Sequence, residues 1–458
     1  MKVIVCGAGQ VGTSVARYLS EENISVSIID PSIEVLQELN NIDILTVQGS
    51  ATYIKVLEAS GIAEADAILA VTRSDEVNML ICQIAASLYS TPLKVARIRN
   101  QEYLSSQWSS LYNRDNIPVD VIISPEREVA SYIAENLSYT GGFDMFSLFD
   151  GVAQSIATLC TADSPLNGQP IKVLHLLYSN IPIKIMAIGR DRRTLVPNQD
   201  TILQTNDVVH FIVRKSQLHD ALALFGHEHT ELSRLLIVGG GAVGFALAKH
   251  LEHETPDLIV KLLESNKSRA ETIAPKLRKA IVLHGKGLDK ELLLEANIQA
   301  TDTVVSVTND ENVNVLMCLF AKEFHVKRTL ALVNSDMYIP LSSALKINAL
   351  IHPHKITILS ILKHIRSRRD LKTIHTLPDH SWELMEVQVQ EDVEGTGLTA
   401  EEVYKKTYGH VMAIWRDEEL WFADKSIQLH KGDSVAVLIK PQHRRKLENL
   451  FASTHQFF

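Results

Sequence analysis

Lys2-Val3-Ile4-Val5-Cys6-Gly7-Ala8-Gly9-Gln10-Val11-Gly12 opens the chain, and its pattern returns at Leu235-Leu236-Ile237-Val238-Gly239-Gly240-Gly241-Ala242-Val243-Gly244. In each copy a short apolar run ends in glycines and leads into a helix-like run, Thr13 to Leu19 and Phe245 to Leu251. An apolar run of that length bounded by glycine reads as a buried parallel strand. The glycines then permit a tight turn and let a phosphate approach the backbone at a helix N-terminus. One such turn is weak evidence; two in the same strand-to-helix context point to two dinucleotide-type folds.

Aligned with itself, the chain repeats with a period of roughly 230 residues, far too long for a solenoid, so a large module is duplicated once. Val71-Thr72-Arg73-Ser74-Asp75-Glu76-Val77-Asn78 matches Val307-Thr308-Asn309-Asp310-Glu311-Asn312-Val313-Asn314. Gln48-Gly49 matches His284-Gly285, Ser124-Pro125 matches His352-Pro353, and Ile185-Met186-Ala187-Ile188 matches Val411-Met412-Ala413-Ile414. Within the first unit, strand-like runs alternate with helical patterns as far as Val119 to Ile123, which predicts a doubly wound parallel sheet. After Gly141-Gly142 the texture changes to short alternating runs such as Ile183 to Ile188 and Val208 to Val213, with turns at Asp191-Arg192-Arg193 and Thr205-Asn206-Asp207. The expected fold class is α/β: two Rossmann-like doubly wound parallel sheets, each followed by a small β-rich α+β domain. The expected boundaries are 1–138, 139–228, 229–369 and 370–458.

Two helices that bridge these segments start at Ser124-Pro125-Glu126 and His352-Pro353. Ser124 suits the N-cap, Pro125 the first helical position and Glu126 the first turn. The second carries Ile356, Leu359, Leu362 and Ile365 at helical spacing, a stripe that serves core packing or a partner-facing crossover helix.

The strand ending Ser27-Ile28-Ile29 is capped by Asp30, eighteen positions beyond Gly12, and Lys261-Leu262-Leu263 ends in Glu264, twenty beyond Gly244. A carboxylate there accepts hydrogen bonds from adenosine ribose hydroxyls and repels a 2′-phosphate, so NAD(H) or an adenine nucleotide fits and NADP does not. The Thr72-Arg73-Ser74-Asp75 loop falls at the same carboxyl edge, where it can meet a ribose or phosphate and also start a helix, with Ser74 or Asp75 as cap. Arg97 and Arg99 alternate with Ile98 on the next strand and project to one face, an arrangement suited to phosphate contact. They align with Ala331 and Val333 in the second copy, where Lys286 replaces Ser50, so the two halves are expected to differ in nucleotide preference.

A net charge of −9 with no long basic run disfavours a nucleic-acid partner. The N-terminus opens directly on a strand and lacks the regions of a signal peptide, no uninterrupted apolar stretch is long enough to span a bilayer, and four scattered cysteines fit a reducing cytoplasm. Cys82 and Cys318 fall at matching helix positions and read as packing residues. Among the eighteen histidines, His227/His229 and His352/His354 have usable metal spacing but no convergent carboxylates or thiols, so no metal site is expected. No nucleophile elbow, phosphate-binding lysine loop or His-Glu zinc motif is present, and no catalytic residue is assigned.

Taken together, Gly7-Ala8-Gly9-Gln10-Val11-Gly12, Val71-Thr72-Arg73-Ser74-Asp75-Glu76-Val77-Asn78-Met79, Ala96-Arg97-Ile98-Arg99 and the twice-repeated domain order resemble, over the whole chain, the TrkA family. Its members are the cytoplasmic regulatory subunits of bacterial Trk potassium uptake systems and consist of two tandem regulator-of-potassium-conductance (RCK) modules. The resemblance implies that Gly7, Ala8, Gly9, Gln10, Val11, Gly12, Asp30, Thr72, Arg73 and Arg97 hold NAD(H), or alternatively ATP or ADP, in the first module. Gly239, Gly240, Gly241, Ala242, Val243, Gly244 and Glu264 would do so in the second. It further implies pairing of modules through the crossover helices, a tetrameric ring, and a cytoplasmic location at the inner face of the membrane beneath a potassium-translocating partner. Two other readings stand beside it: an NAD-dependent oxidoreductase, which predicts turnover of NADH, and a nucleotide sensor acting on some other protein.

Overall fold

A computed structural model of the chain describes residues 1–21, 24–39, 41–137, 139, 141–191, 193–227, 232–341, 345, 347–366, 371–377, 381–390 and 393–451. Arg192, His229 and the boundaries expected at 138, 228 and 369 lie outside the described residues. The first module comprises β1 (Lys2–Cys6), α1 (Gln10–Glu21), β2 (Ser25–Asp30), α2 (Ile33–Gln37), β3 (Leu45–Gln48), α3 (Ile54–Ala59), β4 (Ala67–Ala70), α4 (Asp75–Tyr89), β5 (Leu93–Arg97), β6 (Val121–Ile123) and α5 (Pro125–Leu137). There follow β7 (Gly142–Leu148), β8 (Ala153–Leu159), α6 (Lys172–Leu177), β9 (Ile183–Arg190), β10 (Arg193–Leu195), β11 (Val208–Arg214) and α7 (Leu218–Leu224). The second module repeats the first with β12 (Arg234–Val238), α8 (Ala242–Glu254), β13 (Ile259–Glu264), α9 (Lys267–Ile273), β14 (Ile281–His284), α10 (Lys290–Glu295), β15 (Thr303–Ser306), α11 (Glu311–Glu323), β16 (Arg328–Leu332), β17 (Ala349–Ile351) and α12 (Pro353–Arg366). The chain closes with β18 (Leu371–Thr376), β19 (Glu383–Gln388), α13 (Ala400–Thr407), β20 (His410–Arg416), β21 (Glu419–Phe422), β22 (Ser434–Ile439) and α14 (Arg444–Phe451).

These elements form two compact units, Met1–Ala134 with Leu232–Ile365, and Glu135–Glu231 with Arg366–Phe458. The first unit holds two parallel sheets of identical topology, β3-β2-β1-β4-β5-β6 and β14-β13-β12-β15-β16-β17. Val3 and Val5 of β1 enter one core while Ile4 and Cys6 enter the core on the opposite face. The strand therefore reads as a continuous apolar run, because both of its faces are covered.

The Val3/Val5 face is covered by Val11, Val15 and Leu19 around α1 and also by Ile358, Ile361, Leu362 and Ile365 of α12, a helix of the other module. The apolar stripe of the crossover helix thus fills a core that its own module does not own. Leu362 and Ile365 belong to it as expected, but Ile356 and Leu359 are only half-buried and Ile358 and Ile361 take their places. The stripe is rotated toward the face that meets the first sheet.

The second unit holds two five-stranded antiparallel sheets, ordered β10-β9-β11-β8-β7 and β18-β19-β22-β20-β21. Each has its own apolar core, and a further cluster joins them, with Leu148, Met186 and Ile212 from one sheet, and Phe149 just after β7, against Leu384, Met412 and Leu438 from the other. The Phe149 amide donates to Glu386 at 2.9 Å across this contact, and the Lys184 ammonium donates to the Ala423 carbonyl at 2.7 Å. Each sheet also carries a buried fork-to-carboxylate pair: Arg190 to Asp207 at 2.7 and 2.6 Å, and Arg416 to Asp433 at 2.8 and 2.7 Å. The acids of the Asn206-Asp207 and Gly432-Asp433 turns are therefore locked inward.

All four cysteines are buried, and burial pushes the Cys82 and Cys318 thiols up to about 12. Among the described residues no helix is long and apolar enough to cross a membrane.

Truncating a fully buried isoleucine in a shared core forfeits its burial and leaves a cavity. Ile361→Ala is expected to destabilise the first unit by about 3 kcal/mol, read as a lower urea midpoint with unchanged slope; an unmoved midpoint would show that α12 is not packed there.

Candidate functional site

At the end of β1 the chain turns through Gly7, whose φ of +106° is a region that favours glycine, and a Cβ there would lie 3.1 Å from Thr72 Cα. A Cβ at Gly12 would collide with the Gly7 carbonyl, so the turn and the first turn of α1 touch backbone to backbone. The Gly7 amide donates to the Ile29 carbonyl at 2.8 Å, and the Ala8 amide donates to Asp30 Oδ2 at 2.7 Å. Asp30 Oδ1 accepts from the Ser32 amide at 2.9 Å. Gly9 and Gln10 face outward, Val11 and Gly12 are buried, and a Cβ added at Gly9 would have nothing within 4 Å. An exposed glycine at a helix start beside a partly accessible carboxylate fits the pyrophosphate and ribose of an adenine nucleotide.

The second module repeats this geometry. Gly239 has φ +109° and donates to the Leu263 carbonyl at 2.8 Å, while the Gly240 amide donates to Glu264 Oε2 at 2.8 Å. Gly244 packs against the Gly239 carbonyl as Gly12 does against Gly7, Val243 is half-buried, and Gly241 and Ala242 stand at the start of α8 with open space at Gly241. Glu264 is buried and also accepts from the Asn266 amide at 2.7 Å, so it is less accessible than Asp30.

Behind the Thr72 loop lies a residue that the sequence reading leaves without a role. Asn78 is fully buried; its Oδ1 accepts from the Thr72 amide at 2.9 Å and its hydroxyl at 2.7 Å, and its Nδ2 donates to the Arg97 carbonyl at 2.8 Å. One amide side chain thus ties the loop to the end of β5. Asp75 adds a second tie, accepting from the amides of Arg99 and Asn100 at 3.0 and 2.8 Å, and Ser74 caps α4. Asn314 and Glu311 do the same in the second module, where Asn314 holds Thr308 and the Leu332 carbonyl and Glu311 holds Asn334 and Ser335. Both asparagines stand six places after a threonine in the repeated octapeptide, which was the available signal.

Those bonds also correct the alignment of the arginines. Arg97 corresponds to Leu332 and Arg99 to Asn334, one place beyond Ala331 and Val333, because the asparagine and acid partners fix the register. The second module still lacks cations at these positions. Arg99 lies past the end of β5 and does not share a free face with Arg97: its Nε is ion-paired with Glu126 at 2.9 Å. Arg97 is half-buried with Nε lacking any hydrogen-bond partner, and burial followed by the charge of Arg99 lowers its pKa. Burial, then the charge of Arg97, pushes His354 of the second module below its ordinary value. Ser124 makes no side-chain cap; its hydroxyl is buried without a partner, as is Glu126 Oε2.

Arg73 is exposed and, with Ser74, Asp75, Glu76, Arg99, Asn100 and Glu126, lines an open cleft of about 370 Å³ whose other wall includes Ala242. Cations of the first module therefore face the start of α8, beside the second glycine turn. A cavity of about 210 Å³ between Arg234, Lys261 and Thr301 opens at the amino ends of the strands, away from both turns. Lys286 is exposed beyond β14.

Residues 3–125 and 235–353 match the TrkA-N domain, and residues 160–226 match the TrkA-C domain. The Trk system potassium uptake protein TrkA of Azorhizobium caulinodans is 35% identical over 459 residues, and that of Halomonas elongata is 33% identical over 463, with 100% of each chain covered in both cases. Among solved structures, the GsuK RCK domain aligns with a TM-score of 0.59 at 17% identity, covering 98% of this chain and 95% of that one. The GsuK channel bound to NAD aligns at 0.60 and 17%, covering 98% and 79%.

Two substitutions probe the first edge. Asp30→Ala is expected to weaken NADH or ATP binding at least about tenfold, the cost of one charge-assisted hydrogen bond; equal affinity by calorimetry would remove Asp30 from the site. Asn78→Ala removes a fully buried amide that serves the Thr72 amide, the Thr72 hydroxyl and the Arg97 carbonyl and is expected to cost about 1–3 kcal/mol of stability and to weaken the same binding, whereas a thermal melt like that of the wild type would show that the tie is dispensable.

Proposed function

The chain belongs to the TrkA family of Trk system potassium uptake proteins, and from that premise we propose that it is a nucleotide-responsive regulatory subunit gating a potassium-translocating membrane protein. The observation that carries this reading is the cleft in which Arg73 and Arg99 of one module face Ala242 of the other, beside two glycine turns each bonded to an acid. Charge brought to that cleft acts on both modules at once.

In this reading Gly7, Ala8, Gly9, Gln10, Val11 and Gly12 form the cradle for the pyrophosphate of NAD(H), or the phosphates of ATP or ADP, and Asp30 accepts the ribose hydroxyls. Thr72, Arg73 and Arg97 face the other half of the ligand, positioned by Asn78. Gly239, Gly240, Gly241, Ala242, Val243, Gly244 and Glu264 form the second cradle. The bound nucleotide supplies negative charge and a rigid span, and no residue here is assigned to hydride or proton transfer. Because α12 of one module is part of the other module's core, a change at the cleft moves the modules as packed bodies. A nucleotide that binds one inter-module angle more tightly shifts the population toward it, and that difference is the work available for gating.

The same reading places the chain on the cytoplasmic face of the membrane through its partner, as a tetrameric ring, with domains at 1–138, 139–228, 229–369 and 370–458. Potassium uptake at low external potassium tests it. A strain lacking its own regulatory subunit, supplied with this chain and its cognate membrane subunit, is expected to recover growth, and purified chain is expected to bind NADH without consuming it. Failure to restore uptake counts against the transport role, and turnover of NADH with a small substrate would favour an oxidoreductase.

A further inference from the structure

The two glycine turns are alike in backbone and differ in how one carbonyl is satisfied. In the first, the Ala8 carbonyl accepts the Thr13 hydroxyl at 2.9 Å, a bond made within the turn and its own helix. In the second, the position of Thr13 is taken by Phe245, which has no donor to offer. The equivalent carbonyl, that of Gly240, instead accepts from Arg269 Nε at 2.9 Å. Arg269 reaches there from α9 with its guanidinium carbon 5.8 Å from the centre of the Phe245 ring, a cation–π distance. Its counterpart in the first module is Val35: Ser32 caps α2 by accepting the Val35 amide, and Asn266 caps α9 by accepting the Arg269 amide. Exchange of threonine for phenylalanine and of valine for arginine has therefore put a cation on the second turn only.

That cation is not consumed by the protein. Nε is bonded, and the two Nη groups have neither a hydrogen-bond nor an ion-pair partner among the described residues. Gly240 stands between Arg269, on its carbonyl, and Glu264, on its amide. Half-buried Arg269 thus stands against the glycine turn and beside Phe245 in the first turn of α8, on the opposite side of Gly240 from the ribose-type acid, where the phosphates of a nucleotide on this turn pass. A planar fork with unused N–H donors is suited to a phosphate.

We propose that Arg269 is a specificity-determining residue of the second site, engaging a phosphate of an adenine nucleotide that the first site holds without a cation at that place. The proposal rests on the nucleotide reading of the second module and assigns it a ligand preference. Glu264 beside the turn repels a ribose 2′-phosphate, so the phosphate in question is the pyrophosphate common to ADP and NADH, and NADPH serves as the comparison.

Calorimetric titration of the full chain with ADP, NADH and NADPH, repeated in Asp30→Ala and Glu264→Ala backgrounds, assigns each binding event to a module. Arg269→Val is expected to weaken second-site binding at least tenfold while leaving the first site unchanged. Loss for ADP and NADH alike assigns the pyrophosphate; loss confined to NADPH would overturn that assignment. The double variant Phe245→Thr/Arg269→Val rebuilds the first module's hydroxyl-to-carbonyl bond without the cation, and it is expected to remain weak. Recovery of wild-type affinity in that variant would reduce Arg269 to a prop for the turn and overturn the proposal, as would unaltered second-site affinity in Arg269→Val. Absence of any event that Glu264→Ala removes would instead refute nucleotide binding by the second module, a distinct failure.

Discussion

A backbone amide can meet a carboxylate at the end of the neighbouring strand only where the chain turns through positive φ, and Gly7 and Gly239, at +106° and +109°, make that turn. The next amide in each case is bonded to the acid, Ala8 to Asp30 and Gly240 to Glu264. The acid in turn accepts the amide two places beyond itself, which starts the following helix. Gly12 and Gly244 then let the first helix of each module lie directly on the turn. Three elements of each sheet are thus positioned by one glycine conformation, and a side chain at that glycine would be strained and pressed against the backbone of the loop carrying Thr72 or Thr308.

The same carboxyl edge is stiffened from its other side by a buried asparagine. Asn78 and Asn314 each use both ends of the amide, so the loop and the neighbouring strand end are one hydrogen-bonded body rather than two mobile segments. On the sheet face below, Ile358, Ile361, Leu362 and Ile365 of α12 lie in the first module's core. Close-packed apolar surfaces transmit displacement because they have few voids in which to absorb it. The edge is therefore rigid within a module, and the shared helix links the modules.

Much of this is legible from residue pattern alone. Alternating strand and helix runs yield the doubly wound sheets, and the duplicated octapeptide marks the loop that Asn78 organises. The readings that miss have specific causes. Arg97 and Arg99 look like a strand pair facing one way, but β5 ends at Arg97 and Asp75 takes the Arg99 amide, so Arg99 turns to Glu126. Their alignment slips by one because the two strands carry no insertion-proof landmark; only the asparagine-to-carbonyl bonds reveal it. The stripe on α12 keeps Leu362 and Ile365 but takes Ile358 and Ile361 in place of Ile356 and Leu359, since the surface it fits belongs to the other module. Arg269 is silent in sequence because its partner is a backbone carbonyl, and its meaning lies in what residue 245 is not.

The duplication has kept the backbone and moved the charge. In the first module the cations stand on the β5 side of the turn, Arg97 at the strand end and Arg73 on the loop. In the second, Leu332 and Asn334 leave that side neutral, and Arg269 stands on the β13 side, against the turn itself. The cleft that joins Arg73 and Arg99 to Ala242 brings the first module's cations to the second module's helix start. Two turns that would be equivalent in isolation are consequently unequal in the unit they form. That cleft also carries Asp75, Glu76 and Glu126, and Arg99 is already paired with Glu126, so the first module presents both signs of charge to the second module's helix start, whereas Arg269 stands on the second turn with no carboxylate within ion-pair distance among the described residues.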